Sequence, residues 1–355
     1  FGYGLTPEIV DLATQYNPDL IITVDNGTSS IDGVDHASSF GIDVIVTDHH
    51  LPGEKLPNAC AIVNPNQPGC SFPAKNLAGV GVAFYLLSGL RAELRRIGWF
   101  DLNQLVEPNM ATWLDLVALG TVADVVPLDQ VNRTLVHQGL LRIRSGLCRP
   151  GIRALLQIAG KNPKRLVAAD LGFAVGPRLN AAGRLDDISL GIQCLLTEDM
   201  DVALQAAESL DQLNKDRRLI EQGMQQEAMA ELDKLTLDSE DNLPSALCLF
   251  RPNWHQGVVG LVASRLKEKY HRPVVAFARA EDGSLKGSSR SIPGLHIRDA
   301  MDAVATQNPG LISKFGGHAM AAGLTLEEKQ LETFSVAFQE YAYRALNPED
   351  LKAKV

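Results

Sequence analysis

The sequence predicts an α/β protein in which a parallel-sheet domain is joined by a long helix to a smaller α/β domain. Strand and helix patterns alternate over residues 5–65, a proline-free helical pattern covers 198–235, and another strand–helix–strand pattern follows Pro244. Alternating strands and helices are typical of parallel sheets with right-handed crossovers. The length of 355 residues also favours about two domains.

The first domain is predicted from the spacing of its apolar residues. Three short apolar runs indicate strands, and segments with helical period separate and follow them. Residues 65–73 form a loop rich in Pro, Gly and Asn. The predicted strands are 20–24, 44–47 and 59–63, and the predicted helices are 7–16, 29–40, 80–97 and 110–119.

A long connector helix and a second module follow. Apolar side chains recur at three- and four-residue spacing over 198–235, which at about 1.5 Å per residue predicts a helix of roughly 55 Å. In the second module, strands are predicted at 246–250 and 273–277 around a helix at 257–269. We therefore expect a first domain at 1–150, a basic segment with the connector helix at 151–243, and a second domain at 244–346.

Composition is that of an ordinary globular protein, with 45% hydrophobic and 21% charged residues. Although the net charge is −9, the chain contains two basic stretches. Residues 142–184 include nine basic residues and one acid, and residues 265–298 include eight basic residues and three acids. Such stretches attract a phosphate backbone whatever the total charge, although a solvated surface is an equally good interpretation of each alone.

Localisation is predicted from what the sequence lacks. No apolar run approaches the roughly 20 residues needed to span a bilayer. The sequence starts at Phe1 without a basic-then-apolar leader, and its five cysteines have no Cys-x-x-Cys pattern. We expect a reducing compartment and no membrane.

Acidic and imidazole side chains follow two predicted strands at the point where each strand ends. Asp25 follows the strand at 20–24, and Asp48-His49-His50 follows the strand at 44–47. Ligands of open α/β sheets bind beyond the carboxyl ends of the strands. Carboxylate and imidazole together suit manganese and similar divalent metals, so these residues predict a metal site.

Two further acids, Asp124 and Asp115, have less distinctive surroundings. Asp124 lies between apolar segments, where a carboxylate is either a helix cap or a ligand, and local sequence favours the cap. Asp115 lies within a predicted helix and is a candidate to support a metal ligand.

Motifs along the whole chain resemble the DHH family of phosphoesterases, and within it the bacterial single-strand-specific 5′→3′ exonucleases. The histidine pair alone is a weak signal, but the ordered set is specific. The motifs are Phe1-Gly2-Tyr3-Gly4-Leu5, Val24-Asp25-Asn26-Gly27, Val46-Thr47-Asp48-His49-His50, Ala118-Leu119-Gly120-Thr121-Val122-Ala123-Asp124, Gly176-Pro177-Arg178-Leu179-Asn180-Ala181-Ala182-Gly183-Arg184, Trp254-His255-Gln256-Gly257, Gly287-Ser288-Ser289-Arg290 and Gly316-Gly317-His318.

The resemblance implies a DHH domain with a two-metal site for Mn²⁺ or Mg²⁺, followed by a DHHA1-type nucleic-acid-binding domain. Asp25, His49 and Asp124 match metal ligands, and His50 matches a residue that contacts the scissile phosphate. Asp48 is expected to orient the neighbouring imidazole.

The resemblance also implies substrate contacts outside the metal site, along a nucleic-acid track and a 5′-phosphate pocket. Ser288 and Arg290 are expected in a flexible turn after Gly287. Trp254 is predicted either to stack on a base or to lie in the core. The residues concerned are Arg178, Asn180, Arg184, Trp254, His255, Ser288, Arg290, Gly316, Gly317 and His318.

The implied activity is 5′→3′ degradation of single-stranded DNA in recombination and repair by a monomer in the bacterial cytoplasm. Single-strand-binding protein and a helicase are the implied partners. One departure is that the family's Asp-x-Asp motif precedes Gly-Tyr-Gly-Leu and is absent here, as is its oligonucleotide-binding domain. We therefore expect this chain alone to bind metal weakly and to cut poorly.

Two rival interpretations remain. Other DHH proteins hydrolyse short oligonucleotides, cyclic dinucleotides or pyrophosphate, although the basic stretch and large second module favour a polymer. A catalytically silent replication factor would have lost ligands, whereas Asp25, His49 and Asp124 are all present.

Overall fold

The computed structural model describes residues 4–236, 243–347 and 349–352, without the side chains of 231–236. Phe1, Gly2 and Tyr3 of the first motif therefore lie outside the described residues. The chain divides into two compact units. The first unit extends to Asn180 and includes Ser189–Asp211, and the second contains Ala181–Ile188 and everything from Gln212 onward.

The first unit combines a small sheet with many helices. A 3₁₀ turn (Met110–Trp113) precedes its fifth helix, and a π-helical turn (Leu171–Val175) lies between its eighth and ninth. The elements are α1 (Pro7–Thr14), β1 (Leu20–Val24), α2 (Ile31–Ser39), β2 (Asp43–Thr47), β3 (Ala61–Val63), α3 (Gly79–Arg96), α4 (Trp99–Leu102), α5 (Leu114–Ala123), α6 (Gln130–Arg144), α7 (Pro150–Ile158), α8 (Ala168–Asp170), α9 (Gly176–Leu185), α10 (Ser189–Leu196) and α11 (Met200–Thr236), of which α9 and α11 continue into the second unit.

The sheet of the first unit is parallel, in the order β1-β2-β3, as the sequence predicts. Thr47 lies opposite both Val24 and Val63, so the three strands end level with one another. Val44 and Val46 of β2 pack into a buried cluster with helical residues that include Val10 and Val34. This packing fixes the sheet edge from which the candidate ligands project.

The second unit contains a five-stranded mixed sheet in the order β4-β5-β6-β8-β7, with only β4 and β5 parallel. Successive residues of β5 enter different clusters, Ala276 with Trp254 and Phe277 with Phe334, so both faces of the sheet are covered. The elements are β4 (Leu247–Phe250), α12 (Val259–Tyr270), β5 (Val274–Arg279), β6 (Leu285–Arg290), α13 (Ile297–Gln307), β7 (Lys314–Gly317), β8 (Ala321–Leu326) and α14 (Leu331–Ala345).

The long predicted helix is confirmed as α11, whose 37 residues are consistent with a length of about 55 Å. The helix predicted at 110–119 begins later, because the Asn109 side chain accepts a hydrogen bond from Ala111 and initiates a 3₁₀ turn first. None of the helices in the described part of the chain has both the length and the apolar composition that crossing a bilayer requires.

Candidate active site

Asp25 projects from the end of β1 in an uncommon backbone conformation. Its φ of +65° is left-handed, and its N–H donates to the carbonyl of Thr47 at 3.0 Å. The first residue of α3 approaches closely: a Cβ on Gly79 would lie 2.2 Å from Oδ1 of Asp25. Glycine is therefore required here, and it brings the partly positive N-terminus of α3 next to the carboxylate.

His49 lies between two carboxylates. Its Nε2 atom is 3.1 Å from Oδ1 of Asp25 and 3.4 Å from Oδ2 of Asp124, which follows the last residue of α5. Asp25, His49 and His50 each offer a ligand atom, and these atoms all lie within 4.8 Å of one another. Three distant segments of the chain thus converge on one site, as the sequence predicts.

The electrostatics of this site favour a cation. Asp25 raises the pKa of the His49 imidazole, burial opposes this effect, and Asp124 adds to the increase. Burial also raises the pKa of Asp124, His49 lowers it and Asp25 raises it further, with a net increase. Two close carboxylates repel each other, and positive charge between them relieves that repulsion.

The donor set fits the metal that the sequence resemblance implies. Oxygen ligands from Asp25 and Asp124 suit hard divalent cations, and the imidazole of His49 suits manganese. With His50 in the same cluster, these residues would hold a divalent ion at the end of the parallel sheet.

Asp48 is buried behind His50 and forms hydrogen bonds with both of its carboxylate oxygens. Its Oδ2 accepts from the Thr28 N–H at 3.0 Å, and its Oδ1 lies 2.7 Å from Nδ1 of His50. Burial raises the pKa of Asp48, but the hydrogen bonds from Thr28 and His50 outweigh burial, and the net shift is downward. A carboxylate in this position fixes the His50 ring, whose Nε2 is then the nitrogen that a metal or phosphate would contact.

Sequence reasoning missed three polar residues next to this site. The Asn64 side chain donates to Thr28 and to the backbone carbonyl of His50, and Asn66 donates to the carbonyl of His49. The position of Asn64 in the sequence could have indicated its role, because Asn64 directly follows β3, at the same sheet edge as Asp25 and Asp48.

The two acids at α5 have different surroundings. Asp124 is the residue at which α5 ends, so it lies at a helix terminus, and its carboxylate faces His49. Asp115 does not support a metal ligand: it is buried and accepts hydrogen bonds from the backbone and guanidinium of Arg149.

In the second unit, Ser288 and Arg290 lie on β6, not in the flexible turn expected from Gly287. Alternate residues of a strand share a face, so the two side chains meet there. Arg290 donates to Ser288 at 3.2 Å and to Ser264 at 3.1 Å. Burial lowers its pKa, and the nearby charge of Arg184 lowers it further.

Among the described residues, no carboxylate forms an ion pair with Arg290. Arg184 donates to the carbonyl of Gly257 at 3.1 Å, and burial, followed by the charge of Arg217, lowers its pKa. Two adjacent guanidinium groups with a serine hydroxyl form a suitable environment for a phosphate.

Of the two alternatives predicted for Trp254, the structure has the position in the core. The side chain is 3% exposed, lies in a core cluster with Val258, and donates its indole N–H to Glu227 at 2.9 Å. An indole buried in this way has no face on which a base could stack.

The remaining residues predicted to contact substrate belong to several different elements. Arg178 is paired with Asp211 in the first unit and donates to the carbonyl of Ala174, whereas Asn180 is exposed on α9. His255 accepts from the N–H of Gly257 through Nδ1. Gly316 and Gly317 end the edge strand β7, and the exposed His318 follows them.

Family comparisons agree with this architecture. Residues 4–121 match the model of the DHH family, N-terminal domain, and residues 243–344 match that of the DHHA1 domain. The fold and site thus define a DHH protein with a DHHA1 domain.

A crystal structure of exonuclease RecJ bound to manganese is 33% identical, with a TM-score of 0.80, and the match covers 99% of this chain and 82% of that one. The chain belongs to the RecJ family. RecJ from Thermus thermophilus in complex with Mn²⁺ gives a TM-score of 0.78 at 33% identity, over 96% of this chain and 47% of that one.

The single-stranded-DNA-specific exonuclease RecJ of Salmonella typhimurium strain LT2 is 59% identical over 354 residues. That match covers all of this chain and 61% of the relative, so the chain spans about three fifths of the relative's length.

Proposed function

We propose that this chain forms the catalytic part of a metal-dependent exonuclease that hydrolyses single-stranded DNA from its 5′ end. The observation that carries the proposal is the convergence of Asp25, His49 and Asp124 at one sheet edge. The names of the RecJ relatives support single-stranded DNA as the substrate.

Each side chain of the site has a proposed task. Asp25, His49 and Asp124 hold the metal, and Asp48 fixes the ring of His50 so that its other nitrogen meets the scissile phosphate. Bound Mn²⁺ or Mg²⁺ ions would activate a water and stabilise negative charge on the reacting phosphate.

Arg184, Arg290 and Ser288 are proposed to bind a phosphate of the strand, most simply the terminal 5′-phosphate. The support is their mutual proximity and the absence of an acidic partner for Arg290 in the described part of the chain. Further contacts along the DNA strand are proposed for Asn180, His255, Gly316, Gly317 and His318. Arg178 could contact the strand only if its ion pair with Asp211 broke.

The assembly proposed from the resemblance is a monomer in the bacterial cytoplasm that works with single-strand-binding protein and a helicase. Sedimentation of the purified protein tests whether it is a monomer. Co-purification with single-strand-binding protein and with the helicase tests the proposed partners.

The decisive experiment is a nuclease assay on the gene product that contains this chain. We expect 3′-labelled single strands to be shortened from the 5′ end only when Mn²⁺ or Mg²⁺ is present, and blunt duplex to resist cutting. Asp124→Asn and His49→Ala should each reduce the rate by at least about 100-fold, because each removes a ligand.

The rival functions give different results in the same assay. Rapid cutting of dinucleotides with no action on long strands would favour an enzyme for small substrates. Tight strand binding without any metal-dependent cutting would favour a silent replication factor. Equal cutting of single strand and blunt duplex would refute the proposal.

A further inference from the structure

The segment that carries both histidines leaves the sheet after Thr47, yet its backbone polar groups are paired with side chains. The N–H groups of His49 and His50 both donate to Oδ1 of Asp48, at 2.7 and 3.2 Å. Their carbonyls accept from the side chains of Asn66 and Asn64, at 2.6 and 2.9 Å. Four side-chain hydrogen bonds thus replace the pairing that a strand would provide.

Asn64 connects this segment to the rest of the sheet edge. It is 2% exposed, and its Nδ2 also donates to the hydroxyl of Thr28 at 2.9 Å. The N–H of Thr28 donates to Asp48, so a closed path of hydrogen bonds runs from Asn64 through Thr28 and Asp48 to His50.

Asn66 extends the network into the following loop. Its N–H donates to Oδ1 of Asn64 at 2.8 Å, and its Nδ2 also reaches the carbonyl of Lys75 at 3.2 Å. The Lys75 ammonium donates to the carbonyls of Pro65 and Cys70, at 2.6 and 2.8 Å, and thereby holds the loop over residues 65–75 closed.

We infer that Asn64 and Asn66 are positioning residues that set the backbone of the histidine pair and so aim both rings at the ligand cluster. This inference rests on the proposed function for the role of the cluster, although the network itself does not depend on it. Without the Asn66 amide, the His49 carbonyl lacks its donor and the segment gains alternative conformations. A ligand set held less firmly binds its metal more weakly.

The test compares two changes at Asn66 with one at its neighbour. Asn66→Ala removes both donor and acceptor, and Asn66→Asp keeps the size but cannot donate to a carbonyl. The control is Gln67→Ala, because Gln67 lies in the same loop and donates to the carbonyl of Ile62, away from both histidines.

Two readouts are taken on the 355-residue chain. The ring NMR signals of His49 and His50, assigned with His49→Gln and His50→Gln, should shift or split in both Asn66 variants and stay unchanged in Gln67→Ala. The apparent dissociation constant for Mn²⁺ should rise by about tenfold or more in the Asn66 variants. Thermal unfolding identifies any variant that fails to fold.

Unchanged histidine signals in folded Asn66→Ala would overturn the inference, as would equal changes in Gln67→Ala. If the gene product that contains this chain cut no strand with Mn²⁺ or Mg²⁺ while Asn66→Ala still altered the His49 signals, the proposed function would fail and the positioning role would stand. An Asn66→Ala chain with altered stability but parental histidine signals would indicate a purely structural loop.

Discussion

Three aspartates near the histidine pair act in two different ways. Asp25 and Asp124 face His49, where their charges favour a cation. Asp48 instead turns inward and accepts hydrogen bonds from Thr28 and His50. A carboxylate with several donors around it is costly to replace, because each buried donor left unpaired costs about 1–3 kcal/mol.

Asp48→Asn should therefore lower the free energy of unfolding by about 3 kcal/mol, because an amide has one acceptor oxygen where the carboxylate has two. Urea denaturation without added metal measures this. Asp43→Asn, on the exposed start of β2, is the control and should change stability by less than about 0.5 kcal/mol. Equal stability of Asp48→Asn and the parent would contradict the proposed role of these hydrogen bonds.

Trp254→Phe should destabilise the second unit by about 2 kcal/mol, because it leaves Glu227 without the indole donor and creates a small cavity. The affinity for a single strand should stay unchanged, as fluorescence anisotropy can measure. Glu227→Gln keeps an acceptor oxygen and should cost less. Weaker strand binding at parental stability would restore the stacking hypothesis.

At the level of single side chains, sequence reasoning selected the residues that converge at the sheet edge but not the asparagines that hydrogen-bond to them. Asp25 and His49 follow apolar strands, and this position predicts their convergence. Asn66 was missed because an asparagine in a loop rich in proline and glycine is also a typical turn residue. Trp254 was ambiguous because an indole suits both a core and a base.

Among the secondary structure elements, α12 and β6 determine the geometry of the proposed phosphate site. α12 begins next to β6, and Gly260 in its first turn faces Ser288 and Arg290. A Cβ at this position would lie 2.9 Å from the Ser288 hydroxyl and 3.1 Å from Nη2 of Arg290. The absence of a side chain lets both groups occupy this space.

Gly260→Ala should weaken binding of 5′-phosphorylated single strands several-fold, because the new methyl group displaces the Ser288 and Arg290 side chains. Binding assays with and without the 5′-phosphate measure the loss. Gly223→Ala in α11 is the matched control: a methyl group there meets no atom within 4 Å, and alanine should raise stability by up to about 1 kcal/mol. Parental affinity in Gly260→Ala would argue against a phosphate at this position.

Strands marked by apolar runs were predicted well, but the secondary structure around Gly287 was not. The alternating pattern of residues 20–47 predicts β1 and β2 to within a residue, because apolar runs bounded by turn residues have one clear solution. Gly287 suggests flexibility, so the sequence predicts a turn where the structure has β6. In the structure, Gly287 is instead the strand position where a Cβ would collide with Phe277 at 2.5 Å.

Over the entire chain, local charge matters more than the total. The net charge is −9, yet Arg184 and Arg290 lie together without an acidic partner for Arg290 among the described residues. Binding to a phosphate backbone releases counterions, so its salt dependence counts the phosphates that the protein neutralises.

Arg290→Gln should reduce the slope of log Kd against log salt by about 0.7, the value for one phosphate of a single strand. Titrations at several salt concentrations measure this slope. Arg279→Gln is the control, because Arg279 on β5 is already paired with Glu328 and should leave the slope unchanged. Equal slopes for Arg290→Gln and the parent would exclude a phosphate contact at Arg290.

The division between the two units falls inside helices, and this affects the order of folding during synthesis. The last segment of the first unit ends at Asp211, whereas the core that covers Leu185 is formed by residues up to Ala278, 67 positions later. At about 5–20 residues per second, translating these residues takes roughly 3 to 13 s. Leu185, at the end of α9, packs against a core formed by the later residues, and during that interval it remains an uncovered apolar group on the nascent polypeptide.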